Sequence, residues 1–205
     1  MGKFVLKDTF FQKAKQEGYR ARSAYKLKEI QNRFHILKKG DKVLDLGCSP
    51  GSFLQVIADI VGQEGKITGI DILPLTPLPY KNVITVMCDV RETDIKELMH
   101  IHSLQRFDVV TCDISPNLSG ISEVDNKNIG ELYQAVQKVV SEGLREGGHF
   151  VIKSFFYDTF KGISIELKKI FMRVSVFKPM ASRSASSEIY LICMNKKKPA
   201  DSQRR

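Results

Sequence analysis

Residues 43–53, V-L-D-L-G-C-S-P-G-S-F, decide how the rest of the chain is read. Val43, Leu44 and Leu46 make a short apolar strand that breaks at Gly47 into a turn containing glycine and proline. Gly51-Ser52-Phe53-Leu54 then opens a helix. In an open α/β sheet this junction is where a nucleotide-like ligand meets backbone N–H groups and a helix N-terminus.

Outward from that junction, strands and helices alternate. Strands are expected at 43–46, 66–70, 83–87, 107–111, 149–153, 174–177 and 188–194, and helices at about 52–61, 93–104, 126–144 and 159–171. Gly62 and Gly65, the group Pro74, Pro77 and Pro79, the pair Gly147-Gly148, and Pro179 separate them. Such alternation predicts a seven-stranded, mostly parallel sheet with helices on both faces, an α/β fold of Rossmann-like type. The last two strands are joined by M-A-S-R-S-A-S-S, too short for a helix, and are expected to pair antiparallel at one edge. Two helices precede the sheet. The first takes Asp8 as its N-cap and stops at Gly18; the second, 23–34, carries Ala24, Leu27, Ile30 and Phe34 on one face.

Composition narrows the classes of protein. The 205 residues fit one domain with a full core, and 42% hydrophobic and 27% charged residues are ordinary for a globular chain. No apolar run approaches the roughly 18 residues of a membrane span. The start, M-G-K-F-V-L-K-D, lacks the apolar region of a signal peptide, and Leu6 stands where a myristoylation signal has Ser or Thr. A cytoplasmic monomer without membrane attachment is expected. Cys48, Cys88, Cys112 and Cys193 are scattered without C-x-x-C spacing, which predicts reduced, mostly buried thiols and no metal site.

The net charge of +9 is unevenly spread. Residues 1–42 hold 12 Lys/Arg against 4 Asp/Glu, residues 43–194 hold 15 against 18, and the tail from Asn195 holds 5 against 1. A basic helical extension (about 1–41) and a disordered basic tail (about 195–205) therefore flank a mildly acidic single domain. That asymmetry points to a polyanion, with nucleic acid first. Tyr19, Arg20, Arg22, Tyr25 and Lys26 crowd together, a mixture that can hold phosphates and stack on bases. The competing reading is solvated helix faces and, for Lys196–Lys198 and Arg204–Arg205, a frayed tail.

The dinucleotide pattern G-x-G-x-x-G is absent, because Ser49 stands at its second glycine. Asp71, twenty-four residues after Gly47, ends the second strand, where a carboxylate can accept from a ribose diol. Asp89 ends the third, where it can accept from an adenine amino group, and Asp113 ends the fourth. S-adenosylmethionine offers ribose and adenine without pyrophosphate and suits this set. Each aspartate alone could instead cap a helix.

Four residues carry the chemistry together: Asp113 in C-D-I-S-P-N-L-S-G, Lys153 in F-V-I-K-S-F, Glu188 at the start of the last strand, and Lys26 on the basic helix. Singly, a Lys or Glu at a strand end is more often a solvated rim residue. Jointly they suit transfer of a methyl group to a sugar hydroxyl, a poor nucleophile that gains from a base. A lysine made neutral by burial or a second cation can be that base; Lys26 is the second cation, with Asp113 and Glu188 orienting the two lysines. Methylation of an exocyclic base nitrogen usually relies on an aromatic-tipped motif, and D-I-S-P-N has none. Carbon-5 methylation needs a cysteine, and Asn117 follows Pro116.

With these residues in view the chain resembles the FtsJ family (RrmJ type) of ribosomal RNA 2′-O-methyltransferases over about residues 8–195. The resemblance rests on R-A-R-S-A-Y-K-L-K-E-I, D-L-G-C-S-P-G-S-F, G-I-D-I-L-P, C-D-V-R, D-I-S-P-N-L-S-G, F-V-I-K-S-F and S-S-E-I-Y-L-I. It implies a Rossmann-like S-adenosylmethionine-dependent methyltransferase fold and a catalytic set on Lys26, Asp113, Lys153 and Glu188, with Lys153 the proton acceptor. It implies cofactor contacts on Gly51, Phe53, Asp71, Asp89 and Asp113. The implied substrate is a uridine in the A-loop of large-subunit ribosomal RNA, presented on the assembled subunit. The family commonly has Gly-Gly-Trp where this chain has Gly51-Ser52-Phe53, which keeps an aromatic face and loses an indole N–H. Two rival functions stay open: methylation of a tRNA anticodon loop, and a non-catalytic ribosome-assembly factor that binds cofactor or RNA.

Overall fold

The computed structural model describes residues 5–101, 104–115, 122–155, 158–183 and 186–198. Seven strands form one sheet: β1 (Lys42–Leu46), β2 (Lys66–Asp71), β3 (Val83–Met87), β4 (Phe107–Cys112), β5 (Leu144–Phe155), β6 (Phe171–Phe177) and β7 (Glu188–Lys196). Their order is β3-β2-β1-β4-β5-β7-β6. The first five run parallel; β7 is inserted between β5 and β6 and pairs antiparallel with both, so the departure from parallel pairing is confined to one edge. The chain travels outward from β1 to β3 on one side and from β4 onward on the other. The reversal lies between β1 and β4, where an open α/β sheet leaves a crevice at the strands' carboxyl ends.

Among the described residues six α-helices accompany the sheet: α1 (Val5–Gln16), α2 (Ser23–Phe34), α3 (Ser52–Val61), α4 (Ile95–Ile101), α5 (Ser122–Gly143) and α6 (Asp158–Ile170). The expected elements are present with shifted bounds: α5 starts at Ser122, four residues early, and β5 and β6 start at Leu144 and Phe171, so the Gly147-Gly148 pair lies inside β5 and separates nothing. Two further helix starts differ. Asp8 lies inside α1 and does not cap it, because nothing breaks the chain between Val5 and Asp8. The helix expected from 93 starts at Ile95, and a 3-10 turn, Val90–Glu92, precedes it.

The central strands are apolar on both faces because helices cover both. Leu44, Leu46, Val110, Phe150 and Ile152 pack with Val136, Val139 and Val140 of α5 and Leu167 of α6. On the other face Val43, Val109 and Val151 pack with Leu54, Ile57 and Val61 of α3 and with Leu27 and Ile30 of α2. Leu27 and Ile30 are fully buried, each contributing about 1.5–3 kcal/mol, and this anchoring fixes the helix that carries Lys26. The left-handed His35 (φ 51°) ends α2, its N–H returning to the Gln31 carbonyl.

Two of the N-terminal aromatics and two of the tail lysines have internal uses. Tyr25 is buried against Phe10 and Tyr19, ring centroids 5.5 and 6.0 Å away, so it closes a small core and offers no free face to a base. Strand β7 runs past its expected end through Lys196. The Lys196 ammonium donates to the carbonyls of Val140, Ser141 and Leu144 at the end of α5, and Lys197 donates to those of Lys168 and Lys169 at the end of α6. Both satisfy orphan carbonyls at the negative end of a helix dipole. Residues 199–205 of the expected tail lie outside the described residues.

Candidate active site

The loop after β1 is shaped by close approaches. Gly47 adopts φ +77°, and a Cβ there would stand 2.6 Å from Ile114 Cγ1 and 2.9 Å from its nitrogen. Any side chain would push apart the carboxyl ends of β1 and β4. The N–H groups of Gly47 and Cys48 both donate to the Ile70 carbonyl, at 2.8 and 3.1 Å, which ties the loop to β2. Gly51 (φ +106°) turns the chain into α3. The two departures in this loop are both buried. Ser52 shares a 2.7 Å hydrogen bond with Ser23 at the start of α2. Phe53 is 3% exposed, its ring packed in the core beneath the loop, so what it can offer a ligand is its N–H in the first turn of α3.

Three aspartates stand at the ends of successive strands, each in a different state. Asp71 accepts from the N–H of Ser49 (2.9 Å) on one oxygen and of Leu73 (2.8 Å) on the other, locking the β1 loop to the loop after β2. Exposed Ile72, Leu73 and Met87 stand around it, Met87 directly opposite Asp71 in the β2–β3 register. Asp89 caps the 3-10 turn and is gripped by its neighbour Arg91, whose backbone N–H, Nε and Nη2 reach it at 2.6–3.1 Å. The Arg91 hydrogen bonds hold its carboxyl below the usual range. The capping role is therefore real for Asp89, and Arg91 fills much of its acceptor capacity.

Asp113 faces inward. Its N–H donates to the Leu46 carbonyl across the crevice, and its carboxylate receives the Tyr190 hydroxyl at 2.6 Å. The Lys153 ammonium sits at 3.3 Å from the same oxygen and donates to the Asp113 carbonyl (2.7 Å) and to Ser115 Oγ. Three acceptors surround its three N–H groups, and its side chain is only 4% exposed. Alongside, Lys26 Nζ lies 2.6 Å from Glu188 Oε1, which also accepts from Ser182 Oγ at 2.8 Å. Burial raises the Glu188 carboxyl, but the hydrogen bond and charge of Lys26, the Ser182 hydroxyl and the charge of Lys153 outweigh it and hold the group below its usual range.

The four residues singled out in the sequence are thus two buried ion pairs, Lys153–Asp113 and Lys26–Glu188. They are linked through Tyr190: its hydroxyl binds Asp113, its ring lies 5.9 Å from Lys26 Nζ, and it faces Lys153 across the β5–β7 register. Ser115, Ser182 and Tyr190 escaped the sequence reading. Tyr190 alone had a signal, being two residues beyond Glu188 and so on the same face of its strand. Pro116 to Gly120 of the D-I-S-P-N-L-S-G motif lie outside the described residues.

A doubly wound sheet of this strand order, with β7 antiparallel and acidic groups around a glycine turn, is a Rossmann-like fold with a ligand crevice at the carboxyl ends of β1 and β4. The family model described as FtsJ-like methyltransferase matches residues 19–196. A protein of Myxococcus xanthus named "Ribosomal RNA large subunit methyltransferase E" is 40% identical over 201 residues, covering 97% of this chain and 94% of its own. A protein of the same name from Bdellovibrio bacteriovorus is 38% identical over 192 residues, 93% of this chain and 97% of its own. Among solved structures, one described as a ribosomal RNA methyltransferase from Plasmodium falciparum superposes with a TM-score of 0.74 at 30% identity, covering 87% of this chain and 98% of its own. The chain belongs to the FtsJ-like methyltransferase family. No helix among the described residues is long and apolar enough to cross a membrane.

Proposed function

We propose that the protein is an S-adenosylmethionine-dependent methyltransferase acting, as a monomer, on the 2′-hydroxyl of a ribose in ribosomal RNA, a uridine in the A-loop of the large subunit. The observation that carries this reading is the pair of buried ion pairs, Lys153–Asp113 and Lys26–Glu188, set beside the glycine loop. The two relatives named for large-subunit ribosomal RNA, each spanning nearly the whole chain, support the substrate.

The residues present suit the cofactor. Asp71 keeps acceptor capacity beyond its two amides for a ribose diol. Ile72, Leu73 and Met87 leave 62%, 58% and 69% of their surface open, an apolar seat for a purine. Gly51 and the Phe53 N–H line the loop, Asp89 is available to the adenine amino group in competition with Arg91, and Asp113 adds negative charge that favours a sulfonium. When bound, S-adenosylmethionine supplies a methyl group activated by positively charged sulfur.

The protein's own groups supply the base and its alignment. Lys153 is assigned as proton acceptor for the ribose hydroxyl. For that step the ammonium first gives one proton to solvent; the amine then keeps two N–H groups for its cradle of Asp113 and Ser115 and has a lone pair for the proton of the ribose hydroxyl. Lys26 brings the second cation, and Asp113 and Glu188 fix the two nitrogens, so that most of the rate comes from positioning. Arg22 and Arg183 support the RNA reading. Burial and the charge of Arg183 both disfavour the Arg22 cation, while nearby Glu188 favours it. Two guanidiniums within reach of one another's charge and of Glu188 would suit a phosphate.

The test is incubation with labelled S-adenosylmethionine and, in parallel, large ribosomal subunits, free ribosomal RNA and tRNA, followed by mapping of the label. Label on a ribose of large-subunit RNA is expected. Label in tRNA alone would transfer the activity to the anticodon-loop rival, and binding to ribosomal particles without transfer would favour an assembly factor.

A further inference from the structure

Arg20 is basic, half-exposed and next to Arg22, which on sequence grounds makes it a phosphate contact. In the structure its guanidinium is otherwise engaged. Nη1 donates to the Pro50 carbonyl (3.0 Å) and to the Thr76 carbonyl (2.6 Å), and Nη2 donates to the Pro77 carbonyl (2.8 Å). Pro50 lies in the glycine loop after β1; Thr76 and Pro77 lie in the segment between β2 and β3. Asp71 joins the β1 loop to the start of that segment from within, through Ser49 and Leu73, and Arg20 joins them from without.

The backbone of the same residue is pinned to α3. The Arg20 N–H donates to Gln55 Oε1 (2.8 Å), and Gln55 Nε2 returns a hydrogen bond to the Gly18 carbonyl (2.9 Å). Tyr19 and Tyr80 both donate to Asp59 of α3, at 3.2 and 3.1 Å, and Ser23 meets Ser52. Residues 18–23 thus bind the glycine loop, the first two turns of α3 and the segment after β2 into one unit. Three residues beyond Ser23, the same chain carries Lys26. At Gly51 a Cβ would meet Arg20 Nη1 at 3.1 Å, so the clamp is packed against the loop it holds.

We infer that Arg20 is a positioning residue for the cofactor loop and not a phosphate contact; this rests on the reading of that loop as the S-adenosylmethionine site. A guanidinium can bridge three carbonyls of two loops because its N–H groups diverge in a plane; a lysine ammonium keeps the charge but cannot span them. Charge and bridging are therefore separable by substitution.

The experiment compares wild type, Arg20→Ala and Arg20→Lys. Cofactor affinity is measured by equilibrium dialysis with labelled S-adenosylmethionine, and affinity for unmodified large-subunit ribosomal RNA is measured without cofactor over a salt series. Both variants are expected to weaken cofactor binding by about tenfold or more, the loss of at least one hydrogen bond from a charged donor. The KM for cofactor should rise alongside while kcat at saturation holds, and RNA affinity and its salt slope should match wild type. The inference is overturned if Arg20→Lys behaves as wild type while Arg20→Ala loses RNA affinity and about one unit of salt slope, the mark of a phosphate contact. It is equally overturned if both variants bind cofactor as wild type does. Should Arg20→Ala fail to fold, Arg20→Lys alone decides between these results. A wild type that binds no cofactor would defeat the proposed function itself, a result distinct from unaffected variants of a wild type that binds.

Discussion

Asp45 lies on β1 directly beneath the glycine loop, fully buried, with one oxygen accepting from Thr111 Oγ1 at 2.6 Å and the other without a hydrogen-bond partner. Burial, only partly offset by Thr111 and reinforced by the charges of Asp113 and Asp71, pushes its carboxyl up from 3.8 to about 8. Near neutral pH the folded protein therefore holds a proton on Asp45 that the unfolded chain has released. The folded state binds more protons between those two values, so stability is full below the lower one and falls as pH rises towards the upper, by about 1.4 kcal/mol per unit. By neutral pH the accumulated loss is about 4 kcal/mol. Asp45→Asn keeps the shape and Thr111 as donor and does not titrate, but its amide N–H groups meet the same unpartnered surroundings, at a cost of about 1–3 kcal/mol. At neutral pH the variant should be more stable than wild type by about 1–3 kcal/mol, with the gain vanishing and reversing towards about pH 4. Urea unfolding of both proteins across that range reads the difference directly. Parallel stability curves, with a constant gap at every pH, would refute the reasoning.

Other consequences follow from the same contacts. Tyr190→Phe removes the hydroxyl that fixes Asp113 and leaves the packing; methyl transfer should slow about tenfold and stability should fall by about 1–3 kcal/mol, the loss of one buried hydrogen bond, checked by single-turnover assay and urea unfolding. Glu188 is held below its usual range, so its stabilising effect is present above the unfolded value near 4.5 and is lost as pH falls through the lower folded one; Glu188→Gln should flatten that part of the acid unfolding curve. Lys196→Ala frees three carbonyls at the end of α5 and should cost about 1–3 kcal/mol in urea unfolding, with no change in the salt dependence of RNA binding.

Much of this molecule was legible before any coordinates. Alternating apolar strands and helices, punctuated by glycine and proline, determine a sheet covered on both faces, and all seven strands are present, although β5 starts five residues early and runs through Gly147-Gly148 and β6 starts three residues early. The meeting of Asp113, Lys153 and Glu188 was legible because strand order carries them: β4 and β5 are neighbours, and so are β5 and β7, which brings all three to one edge. What stayed hidden depends on register and on long-range pairing. Tyr190 meets Asp113 only because β7 runs antiparallel beside β5, and Ser52 finds its partner twenty-nine residues upstream in Ser23. Phe53 turns into the core, which periodicity in so short a stretch does not decide. The charge count records cations and not the carbonyls that engage Arg20, Lys196 and Lys197.

On the proposed mechanism Lys153, cradled by Asp113 and Ser115, takes the proton from a ribose hydroxyl. The most direct measurement is single-turnover methyl transfer to large ribosomal subunits by Lys153→Ala, with S-adenosylmethionine affinity measured on the same preparation. Loss of a general base predicts a rate reduced by about a hundredfold or more with cofactor affinity near that of wild type; transfer at a rate close to wild type, with the cofactor bound, would contradict it.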